Sequence, residues 1–476
     1  MTGSSSPEAV QRGPRQETPP GAVGASGGTA RSPLPEAHPL LDRIIRQEQV
    51  FAAVPRVRRR PGDPAVYSHT CLPGPAVAEL GRFGRYTKCA GAGFRPADSW
   101  IAAAAEGLER YYAIRYSRTA PCRSGSWAAD PEARVHPGAW TPFATEQYAE
   151  PGFPFRPLTE DSELRWYPGE DLHTGDGLWL PGPAVCFPYL RSRAEPGMLP
   201  AVTTGLAFGF GTENATRSAL WEVIERDALV LAWHWQLPAR RIDADTGLCR
   251  QLRDAAELDD RYTVDAFDIT SDLGIPVCLV ILRVRDAAGP LLAVGSACRG
   301  SLDAALRKAF LEALQGVPYV RHLCATQADW VFGGDFAEVR SFEHGAAFYS
   351  LFPDQLDACL AARPEFLNVR GDAVTVEDGP DATPTLDTTP DRDTAPPGLD
   401  ATLAALHRRG HRAYGVDMSA DVLRAAGCVV RRVVVPGLYS LEGAHRFRNL
   451  DPARARAVGA LTGDAPDPHP FPHPLP

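Results

Sequence analysis

The sequence predicts a mixed α/β (α+β) protein, on the basis of three observations. Helical patterns alternate with short runs of β-branched residues along most of the chain, as in proteins that pack helices against sheets. Hydrophobic residues make up 44% of the 476 residues, which is sufficient for a sizeable core. Many of the 45 prolines are bunched in a few segments, which separate the patterned parts of the chain. We therefore expect one large globular domain.

The boundaries of this domain follow from composition. Residues 1–37 are mostly Gly, Ser, Pro and Thr with almost no large apolar side chains, so they are predicted to be disordered. The Asp-, Thr- and Pro-rich stretch at about 364–397 lacks apolar periodicity and is predicted to be a mobile loop. Alternating prolines in the tail, 462–476, favour an extended polyproline II conformation. The folded domain is therefore placed at 38–461.

Three long helices are predicted from their start signals and periodicity. The first follows Pro96 and Asp98–Ser99 and reads WIAAAAEGLERYYAIRY. The second reads ENATRSALWEVIERDALVLAWHW, with Thr212 as its N-cap, and the third reads LDAALRKAFLEALQ, with Ser301 as its N-cap. Strands are predicted at 276–284, 290–297 and 428–435, and shorter helices at 401–409 and 420–426.

Charge, hydropathy and cysteine usage exclude several classes of protein. The formal charge of −9 argues against a general nucleic-acid binder, and we interpret the one dense basic run, Arg56 and Arg58–Arg60, as a hydrated surface. No apolar stretch is long enough to span a membrane, and the N-terminus has no secretory layout. The ten cysteines are scattered without any CxxC pair, as expected for a reduced, cytoplasmic protein.

The three long helices carry carboxylates at the same spacing. Residues three apart share a helix face, so each pair can face a common point. The pairs are Glu106 and Glu109, Glu222 and Glu225, and Glu312 with Gln315. The residues four positions before each first glutamate share the same face and are Ala102, Ser218 and Lys308.

This pattern has two interpretations. Clustered oxygen ligands suit Mg²⁺ shared with substrate phosphates, whereas zinc prefers His or Cys and a di-iron site needs a Glu-x-x-His element that all three helices lack. Alternatively, each glutamate forms a salt bridge with a nearby arginine. The near-repetition of the pattern on three helices favours a carboxylate-lined pocket.

Familiar nucleotide and hydrolase motifs are absent. The sequence contains no GxxxxGK[ST] or HExxH. The Gly-rich stretch 205–211 lies just before the second helix, where backbone N–H groups could face an anion. This stretch is a weak signal by itself, so the functional prediction depends on the carboxylate helices.

Several segments resemble the YcaO family, ATP-dependent enzymes that activate a peptide-bond carbonyl. TTGLAFGFGTENATRSALWEVIERDA is similar to the family signature, and GAGFRPADSWIAAAAEGLERY is similar to its GKG…SxxxExxER element. LDAALRKAFLEALQ resembles its third ATP-pocket helix, and WYPGEDLHTGDGLWLPGPAVCFPY and VVRRVVVPGLYSL also look like this family. The resemblance covers roughly residues 40–476.

The resemblance implies a YcaO-type fold with mixed sheets flanked by helices, and an ATP site lined by the three glutamate helices. It implies ATP and Mg²⁺ as cofactors, with metal ligands Glu106, Glu109, Glu222 and Glu225. The implied nucleotide-binding residues are Ser218, Arg226, Lys308, Glu312 and Gln315. Two positions depart from the family pattern: Ala92 replaces the lysine of GKG, and Ala102 replaces a serine. Lys88, the only lysine besides Lys308, could compensate for Ala92.

The C-terminal tail selects a reaction within the family. Azoline-forming members end in a PxPxP tail, and PHPFPHPLP at 468–476 resembles it. By this resemblance Pro470, Pro472 and Pro474 carry the chain end into the active site, where the terminal carboxylate of Pro476 acts as a general base. The alternative is an ordinary disordered Pro-rich end.

These features predict an ATP-dependent cyclodehydratase that converts Cys, Ser or Thr of a ribosomally made precursor peptide to thiazoline or oxazoline. The resemblance also implies a separate leader-peptide-binding, ubiquitin-activating-like partner protein and a homodimer, with no nucleic-acid or membrane partner. Two alternatives stay open. One is another YcaO reaction, such as peptide thioamidation, and the other is a catalytically degenerate scaffold that supports a partner enzyme.

Overall fold

The structure, a computed structural model, describes residues 37–361, 398–459 and 468–475. The predicted disordered extension, apart from Ala37, and the predicted loop at 364–397 therefore lie outside the described residues, as do 460–467 and Pro476. None of the described helices has the length and apolar content needed to cross a membrane.

Helices and strands alternate along the described chain, as the sequence predicts. The helices are α1 (Pro39–Glu48), α2 (Pro75–Ala78), α3 (Pro96–Thr119), α4 (Thr145–Ala149), α5 (Gly182–Val185), α6 (Thr212–Trp233), α7 (Gly247–Ala255), α8 (Leu302–Thr326), α9 (Phe342–Leu351), α10 (Pro353–Ala361), α11 (Leu399–Arg408), α12 (Asp421–Ala425) and α13 (Ala453–Gly459). The strands are β1 (Phe51–Ala53), β2 (Tyr67–Thr70), β3 (Leu72–Pro73), β4 (Ala90–Gly93), β5 (Arg123–Gly125), β6 (Leu164–Asp171), β7 (Gly177–Pro181), β8 (Leu206–Phe210), β9 (Arg240–Ile242), β10 (Tyr262–Asp268), β11 (Val277–Asp286), β12 (Gly289–Cys298), β13 (Tyr414–Asp417) and β14 (Cys428–Val434).

The three long predicted helices form as α3, α6 and α8, with differences at their starts. α3 begins at Pro96, whose fixed φ and missing N–H suit the first helical turn. The N-cap of α6 is Gly211 at φ +84°, a conformation that favours glycine, so the prediction of Thr212 as the cap is wrong by one residue. The prediction for α8 is confirmed, because the Ser301 hydroxyl accepts a hydrogen bond from the Ala304 N–H at 3.2 Å.

The strands form two main sheets, and every named strand pair is antiparallel. The four-stranded sheet has the order β12-β11-β10-β9. The six-stranded sheet has the order β5-β6-β13-β14-β8, with β7 beside β6. The small pairs β1-β3 and β2-β4 complete the set described. The predicted fold class, mixed α/β, is confirmed.

Helix α6 lies between the two main sheets. It contacts β14 and β8 of the larger sheet and β12 and β11 of the smaller one. Its apolar residues are therefore buried on all sides, among them Leu220, Ile224 and Leu231. Helix α8 covers β12 and β11, and α3 packs against β4, β2 and β8. This layering brings the carboxylate-bearing faces of all three helices into one region.

Close approach of α8 to the smaller sheet depends on a glycine. A Cβ atom at Gly295 of β12 would lie 2.1 Å from the Ala309 carbonyl oxygen and 2.9 Å from the Glu312 Cβ atom. Any side chain at Gly295 would push the helix away from the strand. Gly295 therefore fixes the height of Glu312 above the sheet.

Asp227, which follows the carboxylate pair of α6, has a structural role. It is fully buried and pairs with Arg454 at 2.7 Å, and Arg454 also contacts Asp272 at 2.6 Å. The Tyr439 N–H donates to Asp227 at 3.0 Å. The buried carboxylate thus joins α6 to the C-terminal helix α13.

Asp227→Asn is expected to lower the free energy of unfolding by about 3–5 kcal/mol, because it leaves the Arg454 charge buried without its main partner. The matched control is Asp259→Asn, which removes an exposed pair with Arg261 (side chains 55% and 41% exposed) and should leave the free energy of unfolding nearly unchanged. Urea denaturation measures both changes. Equal losses in the two variants would contradict the structural role of Asp227.

Candidate active site

Glutamates from α3, α6 and α8 share one electrostatic environment. The charge of Glu109 interacts with Glu222 on α6, and the charge of Glu225 interacts with Glu312 on α8. Glu106 of α3 also interacts with Glu312. The structure therefore brings together the carboxylates that the sequence placed on three separate helices.

Two arginines lie among these glutamates, each on the same helix as the pair that it contacts. The Arg110 guanidinium lies 3.5 Å from Glu106 Oε1 and 3.6 Å from Glu109 Oε1. The Arg226 guanidinium has the equivalent position, 3.8 Å from Glu222 Oε1 and 3.6 Å from Glu225 Oε1. Charge-assisted hydrogen bonds are normally shorter, about 2.7–2.9 Å. The salt bridges that the sequence offered as an alternative therefore exist, but they are loose enough to leave the carboxylate oxygens available.

Backbone and hydroxyl donors fix the orientation of the glutamates on α6. Glu222 Oε2 accepts from the Gly205 N–H at 3.0 Å. Glu225 accepts from the Ser296 hydroxyl at 2.5 Å and from the Cys298 N–H at 3.2 Å, both at the end of β12. Gly205 has φ +82°, and a Cβ there would lie 2.1 Å from the Val433 carbonyl oxygen, so only glycine fits. The ends of both sheets thus hold the α6 carboxylates in place.

The site has more carboxylates than cations to neutralise them. Burial raises the pKa of Glu109 to about 8 against the attraction of Arg110, and the neighbouring Glu222 raises it further. Burial likewise raises the pKa of Glu225 to about 7 against Arg226. The Glu106 side chain is nevertheless 38% exposed, so the cluster lines an open cleft rather than a dry core. A bound cation would offset this cost of burial by stabilising the ionised carboxylates.

The donor set fits Mg²⁺ shared with a nucleotide better than a metal held by protein alone. Within the described residues, no three His, Cys, Asp or Glu side chains converge closely enough to hold a metal ion by themselves. Mg²⁺ commonly takes one or two protein carboxylates and completes its shell with waters and substrate phosphates. The ligands at this cleft are all carboxylate oxygens, which suits that arrangement.

The predicted residues on α8 lie at the same cleft. Lys308 Nζ is 3.1 Å from Glu312 Oε1, and its charge also acts on Glu106. Gln315 donates to the Ala90 carbonyl oxygen at 2.8 Å, which joins α8 to β4. Ser218 lies one turn before Glu222 on α6 and is half-buried.

Lys88 is not among the cations that form ion pairs with the glutamates in the described part of the chain. Lys88 is exposed just before β4 and forms no ion pair within the part of the chain that the structure describes. Ala92, at the position of the family lysine, is buried in β4 opposite Ser68. The cationic side chains found near the carboxylates are therefore the arginines and Lys308.

Two arginines of the site, Arg110 and Arg432, were not predicted from the sequence. The signal that could have identified Arg110 was its place in the repeated ExxER pattern. Arg432 of β14 is 5% exposed, and burial lowers its pKa to about 10 although Glu222 opposes this shift. Its guanidinium donates to the carbonyl oxygens of Ala184 and Val202, at 3.2 and 3.1 Å. The available signal was a pair of arginines inside the otherwise apolar strand CVVRRVVV.

The described part of the tail, 468–475, is docked on the protein. The Trp233 indole N–H, at the end of α6, donates to the carbonyl oxygens of Phe471 and Pro472 at 3.3 and 3.0 Å. The Tyr349 hydroxyl donates to the Pro472 carbonyl oxygen at 2.7 Å. Leu475 is 4% exposed and belongs to the core around α6. The tail is therefore a packed element in this structure.

The tail lies beside the C-terminal end of α6. Its backbone at His469 donates to the carbonyl oxygen of His234, the residue after the last turn of α6, at 2.6 Å. Farther along the tail, the His473 ring lies 6.1 Å from the His234 ring, between centroids. Pro470, Pro472 and Pro474 all lie in this docked stretch, whereas Pro476 is outside the described residues.

Three helices gather carboxylates and cationic side chains between two antiparallel sheets, an arrangement that suits a metal–nucleotide complex. The family comparison agrees with this class: the family model described as "YcaO cyclodehydratase, ATP- and Mg²⁺-binding" matches residues 90–439. The chain belongs to the YcaO family, and its cofactors are ATP and Mg²⁺.

Two known proteins are similar to this chain in sequence or in fold. An uncharacterized protein of Methanothermobacter thermautotrophicus is 27% identical over 288 residues, which cover 58% of this chain and 66% of that protein. A heterocyclase in complex with substrate and cofactor has a TM-score of 0.65 at 18% identity, over 91% of this chain and 57% of that one. The chain therefore spans less than two thirds of the length of these two proteins.

Two further structures share the fold over most of their length. YcaO from Methanopyrus kandleri, bound with AMPPCP and Mg²⁺, has a TM-score of 0.52 at 20% identity, over 84% of this chain and 90% of that one. The E. coli microcin synthetase McbBCD complex with pro-MccB17 bound has a TM-score of 0.56 at 15% identity, over 89% and 97%. At these identities the likeness shows the YcaO-type fold.

Proposed function

We propose that this protein is an ATP-dependent cyclodehydratase that forms thiazolines or oxazolines in a precursor peptide. A Cys, Ser or Thr side chain of the peptide loses its proton and attacks the preceding amide carbonyl carbon, and the resulting oxyanion takes the γ-phosphoryl group of ATP, which releases ADP. Loss of phosphate together with the amide N–H proton then forms the C=N bond of the ring. The observation that carries this proposal is the Pro-rich tail docked along α6, the helix of Glu222 and Glu225. The likeness in fold to heterocyclases supports it.

The residues of the cleft have distinct roles in this proposal. Glu106, Glu109, Glu222 and Glu225 would hold Mg²⁺, which when bound neutralises phosphate charge. Lys308 and the two cleft arginines, Arg110 and Arg226, face the same space and would attract the remaining phosphate oxygens. Ser218, Glu312 and Gln315 would complete the nucleotide site. Catalysis then rests on positioning and charge stabilisation, as in other phosphoryl transfers.

The proposed partners are a precursor peptide and a separate leader-peptide-binding protein. A related synthetase complex has been solved with pro-MccB17 bound, which supports both expectations. We also propose a cytoplasmic location. Eight of the ten cysteines are buried, which is typical of structural thiols in a reducing compartment.

The direct test incubates the purified protein with precursor peptide, candidate partner and Mg-ATP. Loss of one water mass per modified residue, with matching release of phosphate, is the expected result. Modification with a sulfur-for-oxygen mass change would favour peptide thioamidation instead. ATP turnover absent with every partner would favour a degenerate scaffold, an alternative that the buried Ala92 in place of a cationic side chain keeps open.

A further inference from the structure

Helix α9 forms one wall of the groove that receives the tail. Its residues Phe342, Gly345 and Tyr349 lie three and four positions apart, so they share one face of the helix. The Phe342 ring lies 5.9 Å from the His473 ring, between centroids, and the Tyr349 hydroxyl donates to the Pro472 carbonyl oxygen. We name Phe342, Gly345 and Tyr349 the receiving face of α9.

Gly345, in the middle of the receiving face, lies directly against the backbone of the tail. A Cβ atom added at Gly345 would lie 2.9 Å from the His473 carbonyl oxygen and 3.9 Å from the Leu475 carbonyl oxygen. Among the described residues outside α9, these two tail oxygens are the atoms that such a Cβ would meet within 4 Å. A carbon atom at 2.9 Å overlaps a backbone oxygen, so any side chain at Gly345 would displace the tail.

The helix itself does not require a glycine at this position. Gly345 lies inside α9 and is not among the described glycines that have a positive φ, so its backbone conformation is open to any residue. Glycine is the poorest helix former except proline, and alanine is the best. The next two residues, Ala346 and Ala347, are alanines that are buried in the same helix. The need for a glycine at 345 therefore comes from the tail.

Hydrogen bonds hold the tail against this face. The Tyr349 hydroxyl, one helical turn after Gly345, and the Trp233 indole N–H of α6 both donate to the Pro472 carbonyl oxygen, at 2.7 and 3.0 Å. Both distances are in the ordinary range, so a tail displaced away from α9 would lengthen and weaken the bond from Tyr349. The hydrogen bonds thus draw the tail into the groove, and contact with Gly345 determines how close it comes to α9.

We propose that Gly345 is a positioning residue for the tail: by leaving room for the His473 carbonyl oxygen, it sets the depth at which the tail lies against α9. The prolines at 470, 472 and 474 make the tail stiff, so a displacement at His473 is passed on to the end of the chain. The consequence for ring formation rests on the proposed function, but the docking of the tail does not.

Hydrogen exchange of the full chain tests this proposal without any reaction. Gly345→Ala should raise the exchange rate of the amides at 469–475 about fivefold or more, because the added methyl group overpacks the contact with the tail. Gly345→Leu, with a longer side chain that is also favourable in a helix, should raise it further. Amides of α9 should change much less than those of the tail, because both substitutions favour the helix. Amides of α8 serve as the folding reference.

A second variant on the same face tests whether the effect acts through the docked tail. Tyr349→Phe removes the hydroxyl that donates to Pro472 and adds no volume. If Gly345→Ala already displaces the tail from α9, the double variant should exchange at about the rate of the faster single variant. Independent effects would multiply instead, and that result would overturn the proposal.

The matched control is Glu343→Ala, which places an alanine at an exposed position of the same helix and should leave tail exchange unchanged. Unchanged tail exchange in Gly345→Leu would overturn the proposal. An equal rise of exchange in α9 and in the tail would also overturn it, because Gly345 would then serve the packing of the helix rather than the tail. Failure of cyclodehydration, with the expected exchange results obtained, would count against the proposed function only.

Discussion

Glu222→Gln is expected to reduce ATP turnover by roughly 100-fold or more, since losing even the outer partners of a metal site typically costs 10–100-fold. The substitution removes one charge from the cleft. It keeps an oxygen that can still accept the Gly205 N–H, so the local structure should persist. Phosphate release and the Mg²⁺ concentration needed for half-maximal turnover measure the effect.

The matched control lies on the same helix. Glu213→Gln changes an exposed glutamate in the first turn of α6 and should leave turnover within about twofold, because surface substitutions are usually near neutral. Thermal unfolding of both variants checks that the fold is intact. Unchanged turnover in a well-folded Glu222→Gln protein would show that this carboxylate does not hold the metal–nucleotide complex.

Much of this cleft could be predicted from local patterns. The three-residue spacing of the glutamates puts each pair on one helix face, and apolar flanks indicate that those faces are buried. Local patterns do not show which strand, or which of its two faces, packs against these helix faces. Arg432 therefore stayed hidden, because only the pairing of β14 with β8 places it beneath α3 and α6.

The same limit applies to the prediction for Lys88, which no contact in the structure tests. Lys88 lies four positions before Ala92, and an extended chain of that length covers about 13 Å. Nearness in sequence is therefore a poor guide to nearness of side chains along a strand. The prediction of the N-cap of α6 was wrong because the cap position, Gly211, has a positive φ. Glycine adopts this conformation readily and threonine does not, but the sequence pattern alone does not reveal it.

The tail shows how composition and tertiary structure contribute different information. Alternating prolines predict an extended, stiff segment, and stiffness lowers the entropy lost on docking. The docking partners come from three distant places in the chain: Trp233 on α6, Tyr349 on α9 and Glu442 after β14. No periodicity in the sequence connects these residues, so the depth of burial of the tail could not be predicted.

Deleting residues 468–476 is expected to lower heterocycle formation by about 100-fold or more, because small misplacements of a positioned group already cost about that much. The sequence alone predicts that the fold survives this deletion. The structure adds a cost in stability, since Trp233 and Tyr349 lose their acceptors and the cavity left by Leu475 opens. We expect the free energy of unfolding to fall by about 2–5 kcal/mol.

Lost activity in the truncated protein would thus have two explanations, and a rescue experiment separates them. A synthetic peptide of residues 468–476, added in excess to the truncated protein, should bind along α6 and restore both thermal stability and heterocycle formation. The control peptide carries His473→Leu and should rescue poorly, because leucine cannot donate to the buried backbone carbonyl oxygen of Glu442, which His473 Nε2 contacts at 2.8 Å. If the native peptide restored stability but not ring formation, the tail would be a structural element alone. If the truncated protein were fully active without peptide, the tail would have no part in the reaction.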